Sequence, residues 1–245
     1  MAKKRKQENL GPHPILMWGI VLVLLVVLFF LINSSLFNVS QITVEGNSRF
    51  TQQEIIDASG IDYNTNILHV DEYAAKDNIE KNAYIVVEDI KRTFPSGVKI
   101  IVRERTPVAQ IGTINGYYVI DKEGIALGLN PIKDESLTVV DNLAIAEPSY
   151  AQKIVGESQE KTDAMFYVLE AIELYNLQGK ITGIDLKDPL KIMLTYEGSI
   201  KIRIGSGITA KDRLKFVQAT VEAVKDKLSD GSVINMESAG GYYIS

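Results

Sequence analysis

Two histidines, 31 carboxylates and no cysteine bound the chemistry open to this chain of 245 residues. His13 lies between Gly11-Pro12 and Pro14, ahead of an apolar run; His69 lies in the body of the chain. On the topology read below they fall in different compartments and share no site. A His/Ser/Asp nucleophilic arrangement would rest on His69 alone, and no nucleophile elbow surrounds it. Two His exclude a histidine metal cluster, and the lack of Cys excludes a thiolate nucleophile or thiolate metal site. Asp71 with Glu72, and Glu157 with Glu160, have the composition of a glycoside-cleaving pair. Acids this numerous fall together by chance, and these read first as helix starts and solvated surface. Gly205-Ser206-Gly207 ahead of a helix resembles a phosphate loop, but Ile208-Thr209-Ala210 lacks the Lys-Ser/Thr a P-loop requires. It reads as a flexible strand-to-helix turn. The sequence assigns no catalytic, cofactor-binding or metal-ligating residue, and the expectation is a protein that is not an enzyme and takes no cofactor.

The elements that would position any site begin with Ile15 to Ile32, ILMWGIVLVLLVVLFFLI, which has no charged or amide side chain. As a helix it would rise about 27 Å, close to the ~30 Å hydrocarbon core of a bilayer. Lys3, Lys4, Arg5 and Lys6 precede it, and the next basic residue is Arg49. The positive-inside rule then puts residues 1–14 in the cytoplasm, makes residues 15–33 a transmembrane anchor and exports the rest, a single-pass type II topology in the cell membrane. A cleaved secretory signal has a shorter apolar core and a small-x-small site. Asn33-Ser34-Ser35-Leu36-Phe37 is a poor cleavage site, which favours an uncleaved anchor. The net charge is −5; without the first 37 residues, 22 basic groups stand against 30 acidic, a net of −8. That excludes the basic footprint of a nonspecific nucleic-acid binder.

Beyond the span, Val39 to Glu45 alternates as a half-buried strand, with Ile42 and Val44 on one face. Thr51 and Glu54 form a capping box for a helix over Gln52 to Ser59, with Gly60 as its left-handed end. Asp71 N-caps a second helix through Glu80. Ile85 to Phe94 and Val98 to Glu104 are strands about the turn Pro95-Ser96-Gly97. A second region opens with the hairpin Val108–Ile111 and Tyr117–Ile120 about Asn115-Gly116. Gly128 to Pro148 reads as loop with one strand, Thr138 to Val140. Lys161 to Gln178 is a helix, and a strand follows near Ile181 to Leu186. Lys191 to Tyr196 pairs with Ile200 to Ile204. Thr209 to Leu228 is the clearest helix, its Leu214, Val217, Val221, Val224 and Leu228 recurring at three- and four-residue steps. Val233 to Ser245 closes the chain as a strand-rich segment.

The order strand, helix, helix, strand, strand resembles a POTRA domain. The segment VEDIKRTFPSGVKIIVRERTPVA (Val87 to Ala109) resembles the end of that domain in the FtsQ/DivIB bacterial division proteins, with the Glu-Arg-x-Pro ending at Glu104-Arg105-Thr106-Pro107. Glu104 and Arg105 themselves read as an exposed charge pair at a strand end. YYVIDKEGIAL (Tyr117 to Leu127), LKIMLTYEGSIKIRIG (Leu190 to Gly205), KDRLKFV (Lys211 to Val217) and the closing strand resemble the family's β domain. The implied fold is α+β: one N-terminal transmembrane helix, a POTRA-like β-α-α-β-β domain over residues 38–106, and a β domain over 107–245 built on an antiparallel-rich sheet with two helices. The family's long flexible extensions are not matched, so no contact made through them is carried over.

The resemblance implies a noncatalytic scaffold concentrated at the division septum. Its partners would be the FtsL-like and DivIC/FtsB-like bitopic division proteins and, through them, the septal peptidoglycan synthase. An exported, membrane-anchored cell-wall enzyme and a POTRA-containing secretion or assembly factor are the alternatives; the second would need a β-barrel or repeated POTRA units. A terminal strand exposes main-chain groups to which another chain can add, and the family binds its small coiled-coil partner at the end of the β domain. The expected partner-binding residues are Ile234, Asn235, Met236, Glu237, Ser238, Ala239, Gly240, Gly241, Tyr242 and Tyr243. Tyr242 and Tyr243, adjacent on a strand, face opposite ways.

Overall fold

The computed structural model describes residues 14–229, 231–238 and 241–245, with side chains from Leu16 onward. The basic cluster Lys3 to Lys6 and His13 lie outside the described residues. The chain divides into two units, residues 1–79 with 87–102, and residues 80–86 with 103–245.

The first unit begins with α1, Pro14–Ile32, opened by a proline whose missing N–H costs nothing at a first helical position. Leu16 to Leu31 are exposed on every side. Counted over the described residues, no helix is long and apolar enough to cross a membrane; of α1, the first two side chains are not described. A single-turn helix, Ser35–Phe37, leads into β1, Gln41–Glu45. Next comes α2, Gln52–Ser59, with the expected capping box: Thr51 N donates to Glu54 Oε2 at 2.7 Å, and Glu54 N to Thr51 Oγ1 at 3.2 Å. Those bonds, the backbone one first, hold the Glu54 carboxyl below its ordinary range. Gly60 ends the helix at φ +68°. Asp71 caps α3, Glu72–Ile79, accepting from Tyr73 N and Ala74 N.

The strands β2, Ile85–Thr93, and β3, Gly97–Glu104, complete a sheet of order β1-β3-β2, in which β1 runs parallel to β3 with Gln41 opposite Gly97 and Glu45 opposite Ile101. A first strand, two helices and then a hairpin is the POTRA-like order read from the sequence, and the first strand lies parallel to the hairpin's second strand. The alternation predicted for β1 and β3 is seen in burial: Ile42, Val44, Val98, Ile100 and Val102 are all buried with Ile55 and Ile79 of the helices.

The second unit is one nine-stranded sheet. Its strands are β4 (Pro107–Thr113), β5 (Gly116–Asp121), β6 (Ala126–Asn130), β7 (Thr138–Asp141), β8 (Ile181–Asp185), β9 (Ile192–Tyr196), β10 (Ile200–Gly205), β11 (Val233–Asn235) and β12 (Tyr243–Ile244). The order is β12-β11-β10-β9-β8-β7-β4-β5-β6, with parallel pairs at β4–β7, β7–β8 and β10–β11 and antiparallel pairs elsewhere. Its helices are α4 (Gln159–Leu174), α5 (Ala210–Leu214) and α6 (Val217–Val224). Met165, Val168 and Ile172 of α4, Leu214 of α5, and Val217, Val221 and Val224 of α6 share one core with Ile111, Val140, Ile184, Leu194, Ile202 and Ile234 from the strands.

Several expectations are corrected here. Thr209 to Leu228 is not one helix. Phe216 N donates to Arg213 O, three residues back, at 3.1 Å. This tightened turn separates α5 from α6, sets Leu214 and Val217 over the core together, and leaves Phe216 outside. The helix expected over Lys161 to Gln178 starts earlier, capped by Ser158, and stops at Leu174, because Asn176 takes a left-handed conformation at φ +52°. The expected loop after Gly128 is shorter, since β6 continues to Asn130. Gly205-Ser206-Gly207 is tightly packed rather than flexible: a Cβ on Gly207 would lie 2.7 Å from the Ala164 backbone of α4. That close approach accounts for the glycine without a phosphate.

Arg105 is not an exposed charge. Its side chain is 14% exposed, and Nη1 donates to Asp121 Oδ2 at 2.6 Å and to Glu123 Oε2 at 2.7 Å. Asp121, 4% exposed in its side chain, uses its other oxygen to accept from Glu123 N and Ile125 N, closing the turn between β5 and β6. Burial opposes the guanidinium charge, but the bonds to Asp121 and Glu123 outweigh it and raise its pKa.

Candidate partner-binding site

The residues weighed for chemistry are dispersed. His69 ends a single-turn helix, Ile67–His69. Asp71 is occupied as the α3 cap, and Glu72 pairs with Arg92 at 3.2 Å. Glu157 pairs with Lys161 at 2.9 Å, which lowers its carboxyl pKa, the opposite of what a general acid requires. Among the described residues no group of three or more His, Cys, Asp or Glu is placed to hold a metal ion.

The closing segment is more organised than a single terminal strand. Val233 to Asn235 form β11, which lies between β10 and β12, with Ile202 opposite Ile234 in parallel register. Ile234, Asn235 and Met236 are therefore buried, at 0%, 1% and 5% exposure, and support the site from beneath. Tyr243 and Ile244 form β12, the last strand at this end of the sheet. Val233 and Ser245 exchange both main-chain bonds, Val233 N to Ser245 O at 2.9 Å and the reverse at 3.0 Å. In an antiparallel ladder such pairs alternate with pairs that exchange none. Ile244, opposite Ile234, is of the second kind, so its N–H and C=O point away from β11.

The short strand has side-chain support. Asn235 Nδ2 donates to Tyr243 Oη at 2.6 Å, and Asn235 Oδ1 accepts from Glu237 N at 3.0 Å. Arg213 of α5 reaches across to the segment between the strands, donating from Nη2 to Glu237 O at 2.9 Å and from Nη1 to Ser238 O at 3.0 Å. A cavity of about 500 Å³ opens there, lined by Arg213, Phe216, Thr220, Met236, Ser238 and Tyr242. Gly241, also on its wall, is exposed; Ala239 and Gly240 lie outside the described residues. Phe216, Tyr242 and Tyr243 are about half exposed, at 56%, 45% and 52%. Exposed aromatics beside the last strand of a sheet and a concave apolar wall are what a partner chain would use. Phe216 and Arg213 were missed as site residues, because a continuous helix gives no signal of the tight turn that turns Phe216 outward.

A family model described as the FtsQ-type POTRA domain matches residues 37–105. The chain is 26% identical over 162 residues to the cell division protein DivIB of Clostridium acetobutylicum, covering 66% of this chain and 64% of that protein. It is 27% identical over 170 residues to DivIB of Clostridium tetani, covering 69% and 64%. To the cell division protein FtsQ of Corynebacterium glutamicum it is 27% identical over 179 residues, covering 71% and 74%. The matches thus span about two thirds of the clostridial relatives' length. The solved extracytoplasmic domain of DivIB from Geobacillus stearothermophilus aligns at a TM-score of 0.34 and 10% identity over 51% of this chain and 98% of its own, a likeness too weak to bear on the fold. Residues 37–105 thus match an FtsQ-type POTRA domain, and about two thirds of the chain is similar to bacterial cell-division proteins named DivIB and FtsQ.

Proposed function

We propose that this chain is a noncatalytic, single-pass scaffold of the divisome, anchored by residues 15–33, with a POTRA domain over 38–106 and a β domain over 107–245. The apolar run of α1 supplies the anchor: its uncharged side chains suit lipid on every face, and anchoring confines the exported domains to two dimensions at the septum. FtsL-like and DivIC/FtsB-like bitopic proteins are its direct partners, and through them it influences septal peptidoglycan synthesis. The observation that carries this reading is the outward main chain of Ile244 beside Tyr242, Tyr243 and the Phe216 cavity. A partner strand pairs with β12 through main-chain bonds, and its side chains choose between the tyrosines and the cavity.

A photo-crosslinking amino acid at Tyr243, in intact dividing cells, is expected to trap a small bitopic division protein. The same group at Ile114, fully exposed in the β4–β5 turn, is expected not to. Equal capture from both positions, or capture only from Ile114, would place the contact elsewhere.

A further inference from the structure

The end of the first unit that carries α1 also carries three exposed apolar side chains. Asn66 Nδ2 donates to the carbonyl oxygen of Ile32, the last residue of α1, at 2.7 Å, while its Oδ1 accepts from Leu68 N at 2.9 Å. Asn38 and Asn66 form an antiparallel bridge, and Val39 N donates to Thr65 O at 2.8 Å. The bridge brings together the two single-turn helices that carry Leu36 and Leu68, Ser35–Phe37 and Ile67–His69. The turn between β2 and β3 is at the same end, because Ser40 N donates to Ser96 O at 2.9 Å and the two hydroxyls are 2.9 Å apart. Phe94 lies in that turn. Leu36, Leu68 and Phe94 are 59%, 40% and 58% exposed, while their neighbours Val39, Ile67 and Val98 are buried.

We propose that Leu36, Leu68 and Phe94 seat in the interfacial layer of the bilayer, holding the POTRA unit against the membrane at a fixed height. The proposal rests on reading α1 as a membrane anchor. Two features favour lipid as the occupant. Three of the last four carbonyls of α1 accept from neutral side chains: Asn33 Nδ2 donates to Phe29 O at 2.8 Å, Ser34 Oγ to Leu31 O at 2.6 Å, and Asn66 to Ile32 O. A helix end with its acceptors filled in this way is suited to a layer poor in water. The chain around Leu36 is also uncharged from Asn33 to Thr43, loop 62–71 around Leu68 carries acids at its two ends and no Lys or Arg, and Lys91 and Arg92 ahead of Phe94 are paired with Asp89 and Glu72. The attraction is therefore apolar, and a zwitterionic surface suffices.

The natural chain has no cysteine, so single cysteines can carry an environment-sensitive fluorophore in the full-length protein in phosphatidylcholine nanodiscs. Leu36→Cys, Leu68→Cys and Phe94→Cys test the patch, and Val26→Cys tests the anchor. Gln52→Cys, exposed at the start of α2 beyond the far end of β1, is the aqueous reference. Labels at 36, 68 and 94 are expected to be quenched several-fold more by a shallow spin-labelled lipid than the label at 52, and several-fold less by iodide. Val26→Cys should respond to a deep lipid quencher. If 26 is lipid-quenched while 36, 68 and 94 behave like 52, the proposal is overturned and the anchor stands. If 26 is open to iodide, both fall. Asn66→Ala should weaken lipid quenching at 68 but not at 26; unchanged quenching at 68 would overturn the fixed attachment.

Discussion

The two ends of the nine-stranded sheet are closed in opposite ways, and each uses an arginine. At the β6 end, Arg105 is paired with two carboxylates, and the edge itself is covered: Ala126 N donates to Gln152 O, Ala126 O accepts from Ala151 N, and Pro131 follows the strand. At the β12 end, among the described residues, Arg213 donates to the carbonyls of Glu237 and Ser238, and the strand it supports is two residues long and last in the sheet. A buried ion pair cannot be opened without stranding a charge. Bonds to carbonyls can be remade in water at small cost. The sheet is thus held by a buried ion pair at one edge and by bonds to carbonyls at the other.

The largest expected effect breaks the fixed end. Arg105→Ala leaves Asp121 buried without its partner and should cost about 3–5 kcal/mol of β-domain stability, read from urea denaturation. Arg105→Lys should recover a good part of it, because both bonds come from one nitrogen, Nη1, and an ammonium at that place donates to Asp121 and Glu123 alike. A loss below about 1 kcal/mol would show the cluster to be solvated and remove the contrast. At the other end, Arg213→Ala should cost about 1–2 kcal/mol, confined to the closing segment. The measurement is hydrogen exchange: amides of Val233 and Ser245 should exchange faster, while those of β8 and β9 keep their protection. Faster exchange across the whole sheet would mean that Arg213 supports the core.

How much of this was legible in sequence follows from the range of the interactions. The α2 capping box and the Asp71 cap are set by residues three apart, and both stand where the pattern put them. Alternation marked the buried faces of β1, β3, β9 and β10. The Arg105–Asp121 bond was hidden because it joins two segments, Glu104-Arg105-Thr106-Pro107 and YYVIDKEGIAL, that were read separately. Each resembles the family on its own, but only the β4–β5–β6 register brings them within 2.6 Å. The break at Phe216 was hidden for a related reason. Leu214 and Val217 satisfy the periodicity of a straight helix as well as that of a tightened turn. At the candidate site, the strand-rich character of Val233 to Ser245 was legible. Its division into a buried β11 and an outer β12 was not, since it depends on β10 lying alongside.

A smaller effect sharpens the fixed end. Glu123 has its pKa lowered, first by the Arg105 hydrogen bond, with burial opposing. A lowered carboxyl pKa contributes stability that is present above the ordinary glutamate range and lost as pH falls through the lowered value. Glu123 is 48% exposed in its side chain, so the contribution should stay below about 1 kcal/mol. Glu123→Gln should therefore be slightly less stable than the natural protein near pH 7, and the two unfolding midpoints should converge on acidification. A gap that widens toward low pH would reverse the sign and dissociate Glu123 from Arg105.

The smallest effect on the fold tests the open end. Ile244→Pro removes an N–H that points away from β11, so it breaks no bond of the existing ladder. The strand is short, exposed and last in the sheet, and the core beneath it is closed by Ile234 and Met236. Stability should change by no more than about 0.5 kcal/mol, as for a surface substitution. Capture of a partner that adds a strand at this edge should nonetheless weaken about tenfold, since one main-chain bond of roughly 1.4 kcal/mol is lost at the junction. Ile244→Ala keeps the N–H and changes only the side chain, so a main-chain contact predicts a much weaker effect for it than for the proline. The readout is the affinity of each variant for the purified exported segment of the bitopic partner. If Ala and Pro weaken binding equally, the contact is made by the side chain and not by the edge. If neither does, β12 is not where the partner adds, and the open end of the sheet has no more claim to binding than the closed one.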